Sequence, residues 1–152
     1  HSLCSYGPLI EYRFFAMSAV IPLATCLLAA SYANNLEPRL LMSVIAVEGG
    51  RIGLASKNKN GTEDLGIMQI NTGAWLKLVS RVFFLGDKEK AYIRLKDDGC
   101  FNISVGAWIL STSIRQEKGD VWSGVGRYHS NTPFYKNRYI SKVRYKYRKI
   151  NL

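Results

Sequence analysis

The sequence predicts a mainly α-helical single domain with one small β-hairpin. Segments of helical length carry apolar residues at helical spacing and are bounded by Pro and Gly. Asn60-Gly61 gives a strong signal for a tight hairpin turn. A chain of 152 residues that is 47% hydrophobic can build one packed core but not two.

The N-terminal part of the chain allows two interpretations. Residues 14–30 are nearly uncharged, follow Arg13 and resemble the apolar part of an export leader. Pro22 interrupts this segment, which falls short of the roughly 20 apolar residues that a membrane-spanning helix needs. The alternative is a buried first helix over residues 14–30. We divide the chain into an export leader or N-terminal extension at 1–25 and a domain at 26–152, and expect no stable membrane span.

Most of the domain is predicted to be helical. A short helix covers Cys26 to Tyr32. The next helix begins at Pro38, a favourable first helical position, and is stopped by Gly49 and Gly50. The hairpin falls within residues 55–71, and further helices are predicted at 72–85, 102–116 and 133–149.

Glu48 continues the apolar stripe of the helix that begins at Pro38. Residues three, four and seven positions before it are Ile45, Val44 and Leu41. The carboxyl group is therefore predicted to face inward. Burial disfavours the charged form and would raise its pKa from an ordinary value of about 4.3 toward about 6, where it can donate a proton near neutrality. The alternative from the helix alone is an exposed Glu in a fraying last turn.

The motifs that follow Glu48 give the chain a family resemblance. In order they are EGG, NGTEDLGIMQIN, GAWIL, GVGRYHS and RYISKV. Over roughly residues 26–147 the sequence resembles the lysozyme-like lytic transglycosylases, most closely those that serve bacterial secretion and conjugation machines. The resemblance implies a lysozyme-like (α+β) domain with the hairpin beside the active-site groove, in a periplasmic or exported protein. It also implies cleavage of the MurNAc-GlcNAc β-1,4 bond of peptidoglycan with formation of 1,6-anhydromuramyl ends.

The resemblance assigns roles to individual residues. Glu48 matches the catalytic glutamate, and the segment from Gly66 to Asn71 matches one whose Met and Gln line the glycan groove. Tyr128 and Tyr139 match two groove tyrosines. Cys26 and Cys100 match a pair that is bridged in exported members, which leaves Cys4 over. The substrate-binding residues implied are Asp64, Gly66, Met68, Gln69, Asn71, Tyr128, His129 and Tyr139.

Two positions depart from the family pattern. The family commonly has Ser after the catalytic Glu, where this chain has Gly49, so one hydrogen-bond support for the carboxylate is absent. The usual Tyr-Asn pair is here Tyr128-His129, a variant that a subset of conjugation-type members shares. His129 would then provide the polar contact to the sugar that the amide makes elsewhere.

Asp64 is the best candidate for a second catalytic carboxylate. Glycoside cleavage normally uses an acid and a partner for the oxocarbenium-like centre or a water. Asp64 follows the Asn60-Gly61 turn, where the hairpin could return it across the groove from Glu48. The alternative is a turn-stabilising Asp bonded to nearby backbone. In that case the substrate's N-acetyl group stabilises the cation and its muramyl 6-hydroxyl attacks, so that one carboxylate suffices.

No metal or other cofactor is expected. His1 and His129 are the only histidines, and the three cysteines have no metal-site spacing. The glycines at 124 and 126 lack the strand context of a dinucleotide fingerprint. The tryptophans occur at helical spacing beside Leu and Ile and are predicted to belong to the core: Trp75, Trp108 and Trp122.

The chain is strongly basic, and this raises two rival functions. Lys and Arg outnumber Asp and Glu by 21 to 11, which gives a formal charge of +10 and attracts polyanions. The main rival is a non-catalytic basic module that binds nucleic acid or membrane through residues 138–149. On a helix, however, Tyr139, Ile140, Val143 and Tyr147 form an inward stripe and the charges an ordinary solvated face. A third reading is a non-catalytic adaptor of an envelope machine. We expect peptidoglycan strands as partner, together with a secretion or conjugation apparatus, and no nucleic acid.

Overall fold

The computed structural model describes residues 22–151. Its helices are α1 (Leu23–Ala33), α2 (Pro38–Glu48), α3 (Thr72–Phe83), α4 (Lys88–Asp97), α5 (Gly99–Gln116), α6 (Val121–His129) and α7 (Pro133–Lys149). Three short strands lie between α2 and α3: β1 (Ala55–Lys57), β2 (Glu63–Leu65) and β3 (Ile70–Asn71). The prediction of a mainly α fold with a small β element is confirmed. Cys4 and most of the predicted leader lie outside the described residues.

The buried helix α5 organises the core. It packs against α1 on one side, α6 on another and α4 at its N-terminal end. Its inward face carries Ile103, Ala107 and Leu110, which are almost entirely buried. Helix α2 joins the same core through Leu41 and Val44, both fully buried. The core thus fixes the last turn of α2, where Glu48 lies.

The β element is a three-stranded antiparallel sheet in the order β1-β2-β3. The first two strands form the predicted hairpin, with Ser56 opposite Asp64 and Gly61 in the left-handed region at a φ of 86°. Strand β3 was not predicted. It pairs with β2 because the backbone turns back within residues 66–69, with Gly66 and Gln69 both at positive φ.

The helix boundaries differ from the predictions in several places. Helix α1 begins at Leu23, three residues before the predicted start at Cys26. Helix α5 begins at Gly99 because the Asp98 side chain accepts a hydrogen bond from the Phe101 N–H and caps the helix. Helix α3 ends at Phe83, before Leu85 adopts a φ of 52°. Helices α4 and α6 were not predicted.

The predicted disulfide is confirmed. Cys26 on α1 and Cys100 at the start of α5 are bridged, with their Cα atoms 5.3 Å apart. The bridge joins residues that are 74 positions apart in the chain. It therefore holds the first described helix against the central one.

The tryptophans are less buried than predicted. Trp75 and Trp122 pack against the core but remain partly accessible. The prediction that Trp108 belongs to the core is wrong, because 40% of its surface is exposed. The outer faces of α3 and α5 leave an apolar groove at this place, and Trp108 stands on its edge.

Two further observations concern the described part of the chain. Between residues 22 and 151, no helix is both long and apolar enough to cross a membrane. Within the same range, no three His, Cys, Asp or Glu side chains gather in a way that could hold a metal ion.

Candidate active site

A cleft of about 560 Å³ opens between the end of α2, the sheet and the helices α5 and α6. Its walls include six of the side chains singled out in the sequence: Glu48, Asp64, Gln69, Asn71, Tyr128 and His129. Trp75 also lines the cleft, so this partly buried ring presents one side to it. The residues converge although they come from opposite ends of the chain.

Glu48 is positioned by the way its helix ends. It is the last residue of α2, and Gly49 follows in the left-handed conformation at a φ of 65°, donating its N–H to the Ile45 carbonyl. A side chain at Gly50 would collide with the backbone of Gly66 and Ile67. The chain can therefore pass directly from the acid onto the loop between β2 and β3, which brings Glu48 beside the sheet.

The surroundings of Glu48 favour its protonated form. Burial raises the pKa of its carboxyl group to about 7, and the negative charge of Asp64 contributes in the same direction. A hydrogen bond opposes this shift: the Tyr139 hydroxyl donates to Glu48 Oε1 at 3.1 Å. The resulting pKa is higher than the value of about 6 expected from the sequence. Near neutrality the group exists in both protonation states and can either give or take a proton.

Two largely buried tyrosines contact Glu48 and the loop after β2. Tyr139 on α7 is 4% exposed, and Tyr128 on α6 donates its hydroxyl to the Met68 carbonyl at 2.9 Å. Burial raises the pKa of both phenols far above the ordinary value, so both remain neutral hydrogen-bond donors. Tyr139 thus holds the Glu48 carboxyl group, while Tyr128 joins α6 to the loop after β2.

The exposed His129 ring lies flat against Tyr139. Their centroids are 4.6 Å apart and the ring planes differ by 6°. Burial of part of the ring and the charge of Lys142 lower the pKa of His129, while Asp64 acts in the opposite direction. A neutral imidazole offers one donor and one acceptor. It is therefore suited to the sugar contact predicted for it.

Asp64 is held by a side-chain network and not by the backbone of the turn. Its Oδ1 accepts a hydrogen bond from Asn71 Nδ2 at 2.9 Å across the β2-β3 pair. Asn71 also donates to Thr62 and caps α3 by accepting from the Ala74 N–H. The turn-stabilising alternative is thus not what the structure has, and the carboxylate lines the cleft together with Glu48.

Gln69 occupies an unusual backbone conformation beside this network. Its φ of 52° is uncommon for a residue with a side chain. The side-chain nitrogen donates to the Gly66 carbonyl at 2.9 Å and to the Asp64 carbonyl at 3.3 Å. Strained positions of this kind are concentrated at functional sites.

Three predicted groove residues, Gly66, Met68 and Tyr139, do not line the cleft, and Tyr139 borders a smaller depression beside it. The Met68 side chain is fully buried, with its sulfur against Gly106 of α5, so the prediction that it lines the groove is wrong. Gly66 is buried as well, and its left-handed backbone lies so close to Asn102 that no side chain would fit. Gly66 and Met68 both support the site from behind.

Asn102 is a supporting residue that the sequence analysis missed. It is 1% exposed, and its amide donates to the carbonyls of Leu65 and Leu95, each at 2.8 Å. Its carbonyl oxygen accepts from the Met68 N–H at 2.9 Å. It therefore fastens the loop between β2 and β3 to the core. The position of this amide within the mainly apolar run from Phe101 to Leu110 was the available signal.

Comparison with known proteins identifies the family. The model of the Transglycosylase SLT domain matches residues 25–150. The chain is also 33% identical over 132 residues to the Invasion protein IagB of Salmonella typhimurium strains SL1344 and LT2 and of Salmonella typhi. Each match covers 84% of this chain and 78% of the relative. The chain therefore belongs to the SLT transglycosylase family, whose domain is lysozyme-like as the sequence predicted.

Proposed function

We propose that this protein is a peptidoglycan lytic transglycosylase that cleaves the MurNAc-GlcNAc β-1,4 bond and leaves 1,6-anhydromuramyl ends. Membership of the SLT family supports peptidoglycan cleavage of the transglycosylase type. The observation that carries the assignment of the acid is the position of Glu48 in a cleft of about 560 Å³, where burial raises the pKa of its carboxyl group to about 7.

In the first step Glu48 acts as an acid. The protonated carboxyl donates its proton to the glycosidic oxygen, and the bond between that oxygen and the muramyl C1 breaks. The carbonyl oxygen of the substrate's N-acetyl group bonds to C1 and takes up the positive charge. Tyr139, which already donates to Glu48 Oε1, stabilises the carboxylate that remains.

In the second step Glu48 acts as a base. Its carboxylate removes the proton from the muramyl 6-hydroxyl, and that oxygen attacks C1 while the N-acetyl oxygen leaves. The product is a 1,6-anhydro ring, Glu48 is protonated again, and no water is consumed. A group with a pKa near neutrality can carry out both proton transfers.

The alternative function is a lysozyme-type hydrolase, and one observation favours it. Asp64 lines the same cleft as Glu48, and its charge contributes to the raised pKa of that acid. As a nucleophile or as a stabiliser of the cation, it would allow water to reach C1. A non-catalytic basic binding or adaptor protein would not need a protonated carboxyl group inside a cleft.

The products of digestion distinguish the two reactions. We expect the muropeptides released from purified peptidoglycan to carry anhydro ends, each one water lighter than a reducing end, as measured by mass spectrometry. Asp64→Asn should then retain cleavage, because the N-acetyl group and not Asp64 stabilises the cation. Predominantly reducing ends, together with an inactive Asp64→Asn, would establish the hydrolase instead.

The pH profile should respond to the hydrogen bond from Tyr139. Activity falls as the pH rises through the pKa of about 7, because the first step needs protonated Glu48. Tyr139→Phe removes an interaction that lowers this pKa. The descending limb of the kcat/KM profile is therefore expected to move to higher pH.

Tyr92→Phe is the matched control for this profile. It also removes a tyrosine-glutamate hydrogen bond, from Tyr92 to Glu63 at 2.9 Å, but Glu63 does not line the cleft. Its profile should keep the position of the wild-type limb. A limb that stays in place in Tyr139→Phe, or moves to lower pH, would contradict the role given to Tyr139.

We further propose that the protein acts in the periplasm or outside the cell, where it locally opens the wall for a secretion or conjugation apparatus. The disulfide supports an oxidising compartment. The resemblance of its motifs to those of transglycosylases that serve bacterial secretion and conjugation machines supports the link to such a machine. Loss of assembly on deletion of the gene, restored by the wild type and not by Glu48→Gln, is the expected result.

A further inference from the structure

A second depression leads away from Glu48 along α7. Its inner part, about 180 Å³, is bordered by Glu48, His129, Arg138 and Lys142. Its outer part, about 520 Å³, continues past Lys142 to Lys146. Because the inner part shares Glu48 and His129 with the main cleft, the depression is a side branch that begins at the acid. We call it the basic branch.

The basic branch is cationic along its whole length. Arg138, Lys142 and Lys146 follow one another at intervals of four residues and therefore lie on one face of α7. All three are exposed, and within residues 22–151 none of them forms an ion pair. The only carboxyl group among the lining residues is that of Glu48. The branch therefore suits an anion.

The substrate of the proposed reaction carries anions near the carbon that reacts. A muramyl residue whose C1 lies at Glu48 bears a lactyl ether on its C3, and the peptide stem attached there has free carboxylates. The stem must leave the main cleft close to the acid. The floor of the branch also includes the apolar side chains of Ala46 and Val47, which can contact the alkyl parts of a peptide.

We propose that Arg138 and Lys142 bind the carboxylates of the peptide stem and make peptide-bearing strands the preferred substrate. The inference rests on the proposed function, since it places the muramyl C1 at Glu48. Under this proposal the charged side chains of α7 bind substrate in addition to facing solvent. A stem carboxylate in the inner branch would accept hydrogen bonds from the guanidinium and the ammonium group together.

The experiment compares two soluble strand preparations of equal length. One retains its stems, and the other has been stripped of them by an amidase. For each we would measure kcat and KM with the wild type, with Arg138→Gln/Lys142→Gln and with Lys77→Gln/Lys88→Gln. The last variant removes the same charge from exposed positions on α3 and α4 that line neither the cleft nor the basic branch.

The wild type should prefer peptide-bearing strands, mainly through a lower KM. Two exposed charge contacts of ordinary strength correspond to about a three- to tenfold preference. Arg138→Gln/Lys142→Gln should lower the ratio of the two kcat/KM values toward one, whereas the control variant should keep the wild-type ratio. If the double variant does not fold, Arg138→Gln alone provides the test.

Three results would overturn the inference and leave the proposed function intact. The first is an Arg138→Gln/Lys142→Gln variant that keeps the wild-type ratio of the two kcat/KM values. The second is a wild type that cleaves both preparations with equal kcat/KM. The third is an equal loss of preference in the Lys77→Gln/Lys88→Gln control, which would attribute the preference to the total charge of +10. Failure to cleave either preparation would instead contradict the proposed function.

Discussion

Glu48→Gln should abolish cleavage while leaving the fold intact. The amide keeps the shape of the carboxyl group and can still accept the hydrogen bond from Tyr139, but it has no proton to give. Loss of general acid catalysis costs about 10² to 10⁴ in rate, and more when both proton transfers depend on the same group. Release of muropeptides from purified cell wall measures the effect. Activity within about threefold of the wild type would rule out Glu48 as the acid.

The folding stability of Glu48→Gln provides the control for its loss of activity. The folded-state pKa of Glu48 is about 7 against an ordinary value of 4.5, so the stability that its proton contributes is present below pH 4.5 and lost as the pH rises through 7. Glutamine is uncharged at every pH, so its burial does not carry the cost of a buried negative charge. Urea unfolding should therefore give equal stabilities at about pH 4 and a Glu48→Gln protein more stable by up to about 3 kcal/mol at about pH 8.

Replacing both bridged cysteines should cost more stability than any single surface change. The Cys26–Cys100 bridge joins residues 74 positions apart, for which the chain-entropy treatment of the unfolded state gives about 4 kcal/mol. Cys26→Ser/Cys100→Ser is expected to lower the melting temperature by on the order of 10 °C or more. Thermal and urea unfolding of the oxidised protein and of the variant measure the difference.

Reduction of the wild type gives the matched comparison. Reductant should bring its unfolding curve to that of the double serine variant, and should leave the variant unchanged. An oxidised wild type within about 0.5 kcal/mol of the variant would show that the bridge contributes little, because the unfolded chain is already restrained.

Local signals in the sequence were sufficient to predict the helix that carries the acid. Pro38 at the first helical position, the apolar spacing and the glycine stop predicted α2 as the structure has it. The same spacing directed Glu48 inward, and its raised pKa followed from that burial. Helix α7, which runs from Pro133 to Lys149, was predicted with the same bounds, because it too begins at a Pro and carries an apolar stripe.

Helix α4 was missed because it has almost no apolar stripe. Its ten residues include only two that are buried, Ala91 and Leu95, and the rest of the segment is strongly polar. Its stability depends on packing against α3 and α5, which no local pattern reports. The capping residue Asp87, which accepts from the Lys90 N–H, and the acidic Glu89 in the first turn were local signals of its start.

Helix α6 was missed because of its two glycines, which usually indicate a turn. A side chain at Gly124 would collide with Ile114 of α5, and one at Gly126 would press on Ile140 of α7. The glycines allow close packing of three helices, a tertiary requirement that overrides helix propensity. Asp120, which caps the helix through the Ser123 N–H, was again the available signal.

The sequence indicated which residues lie near the cleft better than it indicated what each of them does there. The motif around Gly66 and Met68 lies in the loop beside Glu48, but a motif does not distinguish residues that face a cleft from those that hold the loop. Met68 fills the space left by Gly106, which comes much later in the chain. Only the packing of α5 behind the loop reveals this.

The hydrogen bonds of Tyr128 and Tyr139 also determine how much of the chain must be present before the site can form. Tyr139 reaches back 91 positions to Glu48, and Tyr128 reaches back 60 positions to Met68. Contacts of such long range form late, because the intervening chain must first be ordered. A growing chain that lacks α6 and α7 has neither the donor for its acid nor the second wall of its cleft. A truncated product that ends before α6 therefore lacks these parts of the site, and under the proposed function it would not cleave peptidoglycan.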